Sequence, residues 1–296
     1  MRHDAAPAAS PPVFCYAFDA PLGGAPIVVR SDYAIEPHLS VFLLNWPCRV
    51  VDQDAPADIV LRRIGSRIGA YVAARREEEL DGINEFDGVN RLADLLSHVA
   101  AGRVGGLAEL HSSAVSIAGK LALFVGPSLS GKSSLALQLT ARGCRLFADD
   151  RLLVGPLRDR QTAPFGVALG LTPRVRHPPH PAAGQLFAKF VARHLVKAGG
   201  NVGFLPLPAD LAHFGEAAAL GAVFLPERRD SGGVILRPAG RAAANRVVLE
   251  QMHAPQMAAV KFLAAVGDLT AGLPCWHLQY DDSAKAALEV QAAIAG

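Results

Sequence analysis

The sequence predicts a mixed α/β protein whose sheet carries a phosphate-binding loop between a strand and a helix. Three observations lead to this fold class. An apolar run at residues 121–125 passes directly into a loop of Gly, Pro and Ser residues, a helical pattern follows at 133–142, and a second apolar run at 144–148 ends in two aspartates. Strand, loop, helix and strand is the order of a βαβ unit that binds phosphate. Later strand-like segments separated by turns favour a mixed sheet over a purely parallel one.

The elements before this unit are less regular. Residues 27–30 and 39–46 are β-branched or aromatic runs bounded by Gly, Pro or Asn, which is typical of strands. Residues 90–100 carry Leu and Val at helical spacing and predict a helix, which the glycines at 102, 105 and 106 would end. We therefore expect a small α+β region over residues 1–104 and a second unit over residues 105–296.

The second unit contains further predicted elements on both sides of the loop. Residues 114–117 predict a strand that turns into the run at 121–125, and residues 187–196 predict a helix. Strands at 221–225 and 233–236, with a turn at 226–231 between them, predict a hairpin. A strand at 275–279 and a helix at 284–295 close the chain, and the aspartates at 281 and 282 are expected to cap that helix.

Composition and charge exclude several classes of protein. With 296 residues, of which 51% are apolar and 19% charged, the chain can bury a large core and is not a disordered protein. The 29 basic and 27 acidic residues nearly cancel, and only 6% are aromatic, so a nucleic-acid partner is not expected. The four cysteines form no C-x-x-C pair, and no apolar run is long enough to span a bilayer. We expect a soluble, cytoplasmic protein with no membrane partner, and the sequence leaves homo-oligomers open.

The strongest motif is a phosphate loop that matches G-x-x-x-x-G-K-[ST] at every fixed position. It consists of Gly126, Pro127, Ser128, Leu129, Ser130, Gly131, Lys132 and Ser133. Glycines let the backbone curl so that its N–H groups face phosphate oxygens, and the following helix directs its positive end at the same anion. Lys132 would neutralise the β- and γ-phosphates, and the Ser133 hydroxyl would ligate Mg²⁺. The alternative is a chance Gly/Ser-rich turn, which the flanking strand and helix disfavour.

Other polar residues become candidate site residues once the phosphate loop is identified. Asp149 and Asp150 follow the strand at 144–148, where one carboxylate could hold Mg²⁺ and the other could accept the proton of an attacking hydroxyl. The alternative is an ordinary turn that uses two aspartates. His111, taken alone, is more typical of a turn or core residue. Arg174 and Arg176 could bring a cation to a phosphoryl group, but a solvent-exposed basic loop is the favoured interpretation.

Three stretches carry a resemblance to a known family. They are Leu110-His-Ser-Ser-Ala-Val, the segment from Ala122 through the phosphate loop to Leu137, and Arg142-Gly-Cys-Arg-Leu-Phe-Ala-Asp-Asp-Arg151. Together they resemble the catalytic domain of HPr kinase/phosphorylase, and more closely the shorter HPr-kinase-related bacterial proteins, some of which phosphorylate serine on precursor peptides. The resemblance covers roughly residues 107–156 and is looser towards the C-terminus.

The resemblance implies an ATP- and Mg²⁺-dependent serine kinase with a P-loop catalytic domain at 105–296. It assigns residues 126–134, Ser134 included, to the nucleotide and Lys132 to the phosphates. Ser133 and Asp150 are assigned to the metal, Asp149 to the acceptor hydroxyl as a base, and His111 to the active site. Ser134 stands where HPr kinases usually have Glu, and we do not find their glycine-rich C-terminal signature, so neither phosphorylase activity nor HPr as acceptor is implied.

Three functions remain open at this point. The favoured one is a kinase that acts on a serine or threonine of a protein or peptide, with the region 1–104 recognising the acceptor. The second is a nucleotide-driven switch or ATPase, although the sequence has neither an N-K-x-D nor an L-S-G-G-Q motif. The third is a non-catalytic module that senses a nucleotide. The phosphate loop does not read the base, so ATP, GTP and pyrophosphate all remain possible donors.

Overall fold

A computed structural model describes residues 13–65, 67–74, 85–156, 163–180, 183–199, 201–254 and 256–295. Within these ranges lie seven α-helices: α1 (Glu36–Phe42), α2 (Glu85–Arg103), α3 (Lys132–Thr140), α4 (Gly184–His194), α5 (Arg241–Gln251), α6 (Ala259–Ala271) and α7 (Ser283–Ala295). The strands are β1 (Phe14–Phe18), β2 (Ile27–Ser31), β3 (Cys48–Val50), β4 (Ile59–Ile64), β5 (Arg67–Val72), β6 (Ala108–Leu110), β7 (Ser112–Ile117), β8 (Lys120–Val125), β9 (Arg145–Ala148), β10 (Leu152–Gly155), β11 (Phe165–Val167), β12 (Arg174–Arg176), β13 (Val196–Gly199), β14 (Val202–Phe204), β15 (Ala217–Arg228), β16 (Ile235–Pro238), β17 (Met252–His253) and β18 (Cys275–Tyr280).

The strands form three sheets, so the protein has the mixed α/β class that the sequence predicts. The first sheet has five strands in the order β3-β1-β2-β4-β5, and α2 packs against it. The second has ten strands. Its main path is β17-β6-β10-β11-β15-β8-β7-β9, and β18 joins β15 to β16. The third is a small antiparallel sheet in the order β12-β14-β13.

Parallel strands in the ten-stranded sheet place the phosphate loop at one edge. β15 pairs in parallel with both β8 and β18, so the ends of these three strands lie at the same edge. β7 is antiparallel to both β8 and β9, so the start of β7 lies at that edge too, beside the end of β9. The edge therefore brings together the phosphate loop, the aspartates after β9 and the residues around the start of β7.

Local sequence accounts for α3. The helix contains no Gly or Pro, and its Leu and Ala residues are strong helix formers that pack into a buried apolar cluster with α7 and the sheet. It ends shortly before Gly143, whose φ of +89° is the left-handed conformation that favours glycine after a helix. The predicted helix at 133–142 is confirmed with slightly different bounds.

The N-terminal region packs directly on the rest of the protein. One buried apolar cluster contains residues of the five-stranded sheet and of α2, such as Phe18 and Leu92, together with Leu153, Leu169 and Phe204 from beyond residue 104. The predicted boundary at residue 104 falls just after α2. That residues 1–104 form a unit of their own stays a prediction.

Two predictions about elements are wrong. Residues 39–46 do not form a strand, because α1 runs over Glu36–Phe42 with Pro37 in its first turn, where the missing N–H of proline costs nothing. The hairpin predicted from 221–225 and 233–236 is also wrong, because β15 and β16 do not pair with each other. β18 lies between them, parallel to β15 and antiparallel to β16.

Candidate functional site

The phosphate loop is shaped by backbone conformations that few residues adopt. β8 ends at Val125, and the loop reaches α3 through Leu129, with φ +70°, and Gly131, with φ +99°. A Cβ atom on Gly131 would lie 1.7 Å from the Tyr280 hydroxyl oxygen. Glycine is therefore required at this position both by the backbone and by the neighbouring side chain.

The loop presents unused hydrogen-bonding capacity. The first turn of α3 has neither a side-chain cap nor an acidic residue, so its N–H groups and the positive end of the helix dipole face the loop. The Ser130 hydroxyl oxygen is buried and has no hydrogen-bond partner among the described residues. Together these groups form a concentration of donors that suits an anion such as phosphate.

Lys132 lies across the loop itself. The side chain is buried, and its ammonium donates to the carbonyl oxygens of Gly126 at 2.8 Å and Pro127 at 3.1 Å. Burial lowers the pKa of Lys132, and the negative charges of Asp150 and Asp149 oppose that shift. The ammonium therefore already lies at the loop. Phosphate oxygens bound there would replace its two carbonyl acceptors.

Asp149 is a buried carboxylate held by hydroxyl groups. Its side chain accepts hydrogen bonds from the Ser113 hydroxyl at 2.7 Å and from the backbone N–H of Arg174 at 3.3 Å, and the Ser133 hydroxyl lies near enough to stabilise its charge. Burial, with the neighbouring Asp150 charge, raises the pKa of Asp149 above its usual range, and the three neighbouring donor groups reduce the shift without reversing it. A carboxylate with a raised pKa is a better proton acceptor than an ordinary aspartate.

Asp150 has the opposite electrostatic environment. Its two oxygens face His111 Nε2 at 3.0 Å and Arg174 Nη2 at 2.5 Å. Burial by itself would raise the pKa of Asp150, but the hydrogen bond from His111 and the charges of Arg174 and Arg151 outweigh it, so the pKa is well below the usual range. Asp150 is therefore ionised, and its φ of +71° is one that Asp tolerates better than most residues.

Arg151 connects the aspartates to the N-terminal region. Its guanidinium contacts Glu109 at 2.5 Å and Asp94 of α2 at 3.3 Å. Glu109 is only 1% exposed, and His98 of α2 lies 3.6 Å from its second oxygen. Burial alone would raise the pKa of Glu109, but His98 and Arg151 outweigh it, so the pKa is lowered. His98 and Arg151 thus keep the Glu109 carboxylate ionised in the protein interior.

The fold brings most of the predicted site residues together. The Ser133 hydroxyl lies near enough to Asp149 to stabilise its charge, Asp150 contacts His111, and both carboxylates lie near enough to Lys132 to act on its charge. The remaining members of the predicted nucleotide set divide by exposure. Gly126 is buried, Ser130 and Gly131 are half-buried, and the exposed members are Pro127, Ser128, Leu129 and Ser134.

Sequence reasoning disfavoured one contributor to the site and missed two others. Arg174 is not a residue of a solvent-exposed loop, because it begins β12 and contacts both aspartates, whereas Arg176 is exposed as expected. No sequence motif marks Ser113 or Tyr280, although Tyr280 donates a hydrogen bond to the Ser130 carbonyl of the loop at 3.3 Å. Ser113 lies two residues after His111, near the start of β7, and this proximity in the sequence is the one signal that could have identified it.

The donors beside the loop fit a magnesium ion. Mg²⁺ prefers oxygen ligands, keeps several waters and usually takes one or two carboxylates together with phosphate oxygens. The Ser133 hydroxyl and the carboxylates of Asp149 and Asp150 are such donors. Within the described ranges, no group of three or more His, Cys, Asp or Glu side chains is arranged to hold a metal by itself.

None of the helices in the described part of the chain combines the length and the apolar character needed to cross a membrane.

Comparison with known proteins gives a partial match. No family model matches the sequence. The chain is 35% identical over 105 residues to HPr kinase/phosphorylase from Enterococcus faecalis, a match that covers 35% of this chain and 33% of that protein. The chain thus spans about a third of the length of the curated relative it matches. Over these 105 residues the sequence is similar to that of HPr kinase/phosphorylase.

A solved structure of similar description was also found. The Hpr(Ser) kinase/phosphatase from Coxiella burnetii aligns with a TM-score of 0.32 at 13% identity, over 62% of this chain and 93% of that chain.

Proposed function

We propose that this protein is an ATP- and Mg²⁺-dependent kinase that transfers the γ-phosphate to a serine or threonine hydroxyl of a protein or peptide. The observation that carries the proposal is the position of Asp149. This carboxylate is buried and has a raised pKa, and it lies near enough to Ser133, the last residue of the phosphate loop, for that hydroxyl to stabilise its charge. A proton acceptor beside a phosphate-binding loop is what transfer to a hydroxyl needs and what a purely binding module does not.

The phosphate loop and Lys132 hold the donor in this proposal. The N–H groups at the start of α3 receive the phosphate oxygens, and Lys132 turns from the Gly126 and Pro127 carbonyls to the β- and γ-phosphates. Ser133 and Asp150 would hold Mg²⁺, which when bound would neutralise charge on the phosphate oxygens. His111 and the neighbouring arginines keep Asp150 ionised for that role.

Asp149 completes the transfer as the base. The acceptor oxygen forms a bond to the γ-phosphorus while the bond from that phosphorus to the bridging oxygen of ADP breaks, and Asp149 takes the hydroxyl proton. Ser113 and the Arg174 N–H keep the carboxylate oriented for this proton transfer. The partial similarity to HPr kinase/phosphorylase supports a protein acceptor, and we propose that residues 1–104 recognise it in the cytoplasm.

Transfer of a labelled γ-phosphate from ATP into a lysate or peptide pool of the source cell tests the proposal. Wild type is compared with Lys132→Ala and Asp149→Asn, and with Asp230→Asn, an exposed aspartate in a turn, as the matched control. We expect Asp149→Asn to bind nucleotide with a Kd within about threefold of wild type and to lose transfer by roughly 10²–10⁴-fold. Lys132→Ala should lose both, and Asp230→Asn should lose neither.

Transfer at the wild-type rate by Asp149→Asn would contradict the proposal. ATP hydrolysis without a labelled acceptor would instead favour the switch or ATPase, and binding without turnover would favour the sensing module.

A further inference from the structure

Arg174 touches both aspartates of the site from a separate part of the fold. It begins β12 in the small three-stranded sheet, and β12 lies against α3, the helix that Lys132 begins. Its backbone N–H donates to Asp149 Oδ2 at 3.3 Å, and its guanidinium contacts Asp150 Oδ2 at 2.5 Å. The backbone contact keeps the start of β12 beside the carboxylates wherever the side chain points.

The oxygens of Asp150 are already in use. His111 Nε2 lies 3.0 Å from Oδ1, and the Arg174 guanidinium occupies Oδ2, so a divalent cation must compete with these groups for the carboxylate. His111 is held close to its position, because its backbone N–H donates to the Gln251 carbonyl at 2.8 Å and its side chain is short. The Arg174 side chain is long and 39% exposed, so Arg174 is the partner that can leave.

We propose that Arg174 is a second cation of the transfer site, which is held on Asp150 until that carboxylate takes up the divalent cation and then turns to the oxygens of the transferring phosphoryl group. This inference rests on the proposed function. A guanidinium is always charged and offers a planar fork of donors that matches phosphoryl oxygens. The backbone of Arg174 is hydrogen-bonded to Asp149, and β12 lies against α3. These two contacts keep the guanidinium near the phosphate loop.

Arg174 therefore has two effects of opposite sign, and both can be measured. In the resting site its charge competes with the metal for Asp150, so removing it should ease metal uptake. During transfer it neutralises phosphoryl charge, so removing it should slow the reaction. A residue with only a structural role would weaken both.

The test is a Mg²⁺ titration of the binding of a fluorescent ATP analogue, run beside the γ-phosphate transfer assay. Arg174→Ala is compared with Arg176→Ala, which removes an exposed arginine from the same strand, and circular dichroism checks that each variant is folded. We expect Arg174→Ala to lower the Mg²⁺ concentration at half-maximal binding by roughly two- to fivefold. Transfer by the same variant should fall by roughly 10²–10³-fold, and Arg176→Ala should change neither quantity.

Arg174→Lys is the second variant, and it keeps the charge while removing the fork. It should leave the Mg²⁺ midpoint near that of wild type and reduce transfer by at least about tenfold. An unchanged or raised midpoint in Arg174→Ala, or full transfer in either Arg174 variant, would overturn the inference and leave the proposed kinase standing. Failure of the wild type itself to bind the nucleotide with Mg²⁺ or to transfer phosphate would instead refute the proposed function.

Discussion

The side chain of Tyr280 contacts the phosphate loop, and this contact allows a quantitative prediction. Its ring is buried, and its hydroxyl donates to the Ser130 carbonyl at 3.3 Å. The same hydroxyl oxygen occupies the space that a Cβ on Gly131 would need, at a distance of 1.7 Å. Gly131→Ala therefore meets two separate costs, one from its φ of +99° and one from the collision with Tyr280.

The two costs can be estimated separately. The positive φ costs an alanine about 1–2 kcal/mol, and forcing a methyl group into occupied space typically costs about 1–3 kcal/mol. Tyr280→Phe removes the colliding oxygen and loses one long hydrogen bond, worth about 1 kcal/mol or less. After that change the nearest atom of the ring is Cζ, 3.0 Å from the new Cβ, so the collision is reduced but not removed.

We therefore expect the double variant to be less destabilised than the sum of the two single variants by about 1–3 kcal/mol. Urea unfolding of the wild type, both single variants and the double variant measures this coupling. Gly143→Ala is the matched control, because Gly143 has a φ of +89° and no atom within 4 Å of an added Cβ. Gly143→Ala should lower the free energy of unfolding only by the cost of the positive φ. This loss should be additive with that of Tyr280→Phe. Additivity of Gly131→Ala and Tyr280→Phe within about 0.5 kcal/mol would refute the reasoning.

Two further predictions concern the charged groups. Arg151→Met should lower the free energy of unfolding by about 3–5 kcal/mol, because it leaves the buried Glu109 without its guanidinium partner. The double change Glu109→Gln with Arg151→Met should recover part of that loss in urea unfolding, and a loss below about 1 kcal/mol in Arg151→Met would contradict the role of the pair. Asp150→Asn tests the lowered pKa of Asp150, since a depressed pKa adds stability that is present above the unfolded pKa of about 3.9 and is lost as the pH falls through the folded value. Wild type should therefore melt at a higher temperature than Asp150→Asn at pH 7, with the gap closing in acid, and an equal gap at pH 7 and pH 3 would contradict the sign.

The parts of the fold that could be predicted from the sequence are those that short-range patterns determine. The strand before the phosphate loop, the loop and α3 follow one another without interruption, and Gly143 ends the helix by its own backbone preference. The wrong strand at 39–46 overlaps a helix of seven residues, too short for a clear period to form. The wrong hairpin failed for another reason. β18, far along the chain, inserts between β15 and β16, and no local turn signal reports a strand that arrives from elsewhere.

The candidate site divides in the same way. Lys132, Ser133 and the two aspartates could be found because motif spacing and the end of a strand mark them. Arg174 lies on a strand of a different sheet, and its approach to Asp150 depends on how β12 packs against α3. Nothing in the spacing of Arg174 and Arg176 separates the one that contacts a carboxylate from the one that faces solvent.

The two adjacent aspartates are unlike because their neighbours differ. Both are desolvated, and burial alone would raise both pKa values. Asp149 receives only neutral hydrogen-bond donors and feels the charge of Asp150, so its pKa stays raised, whereas Asp150 faces His111 and two arginines and its pKa is lowered. A pair whose pKa values are driven apart can divide the work between a proton acceptor and a permanent anion. This electrostatic asymmetry supports the proposed assignment of Asp149 as the base and Asp150 as the metal ligand, which the family resemblance implies and which the two adjacent aspartates taken alone leave open.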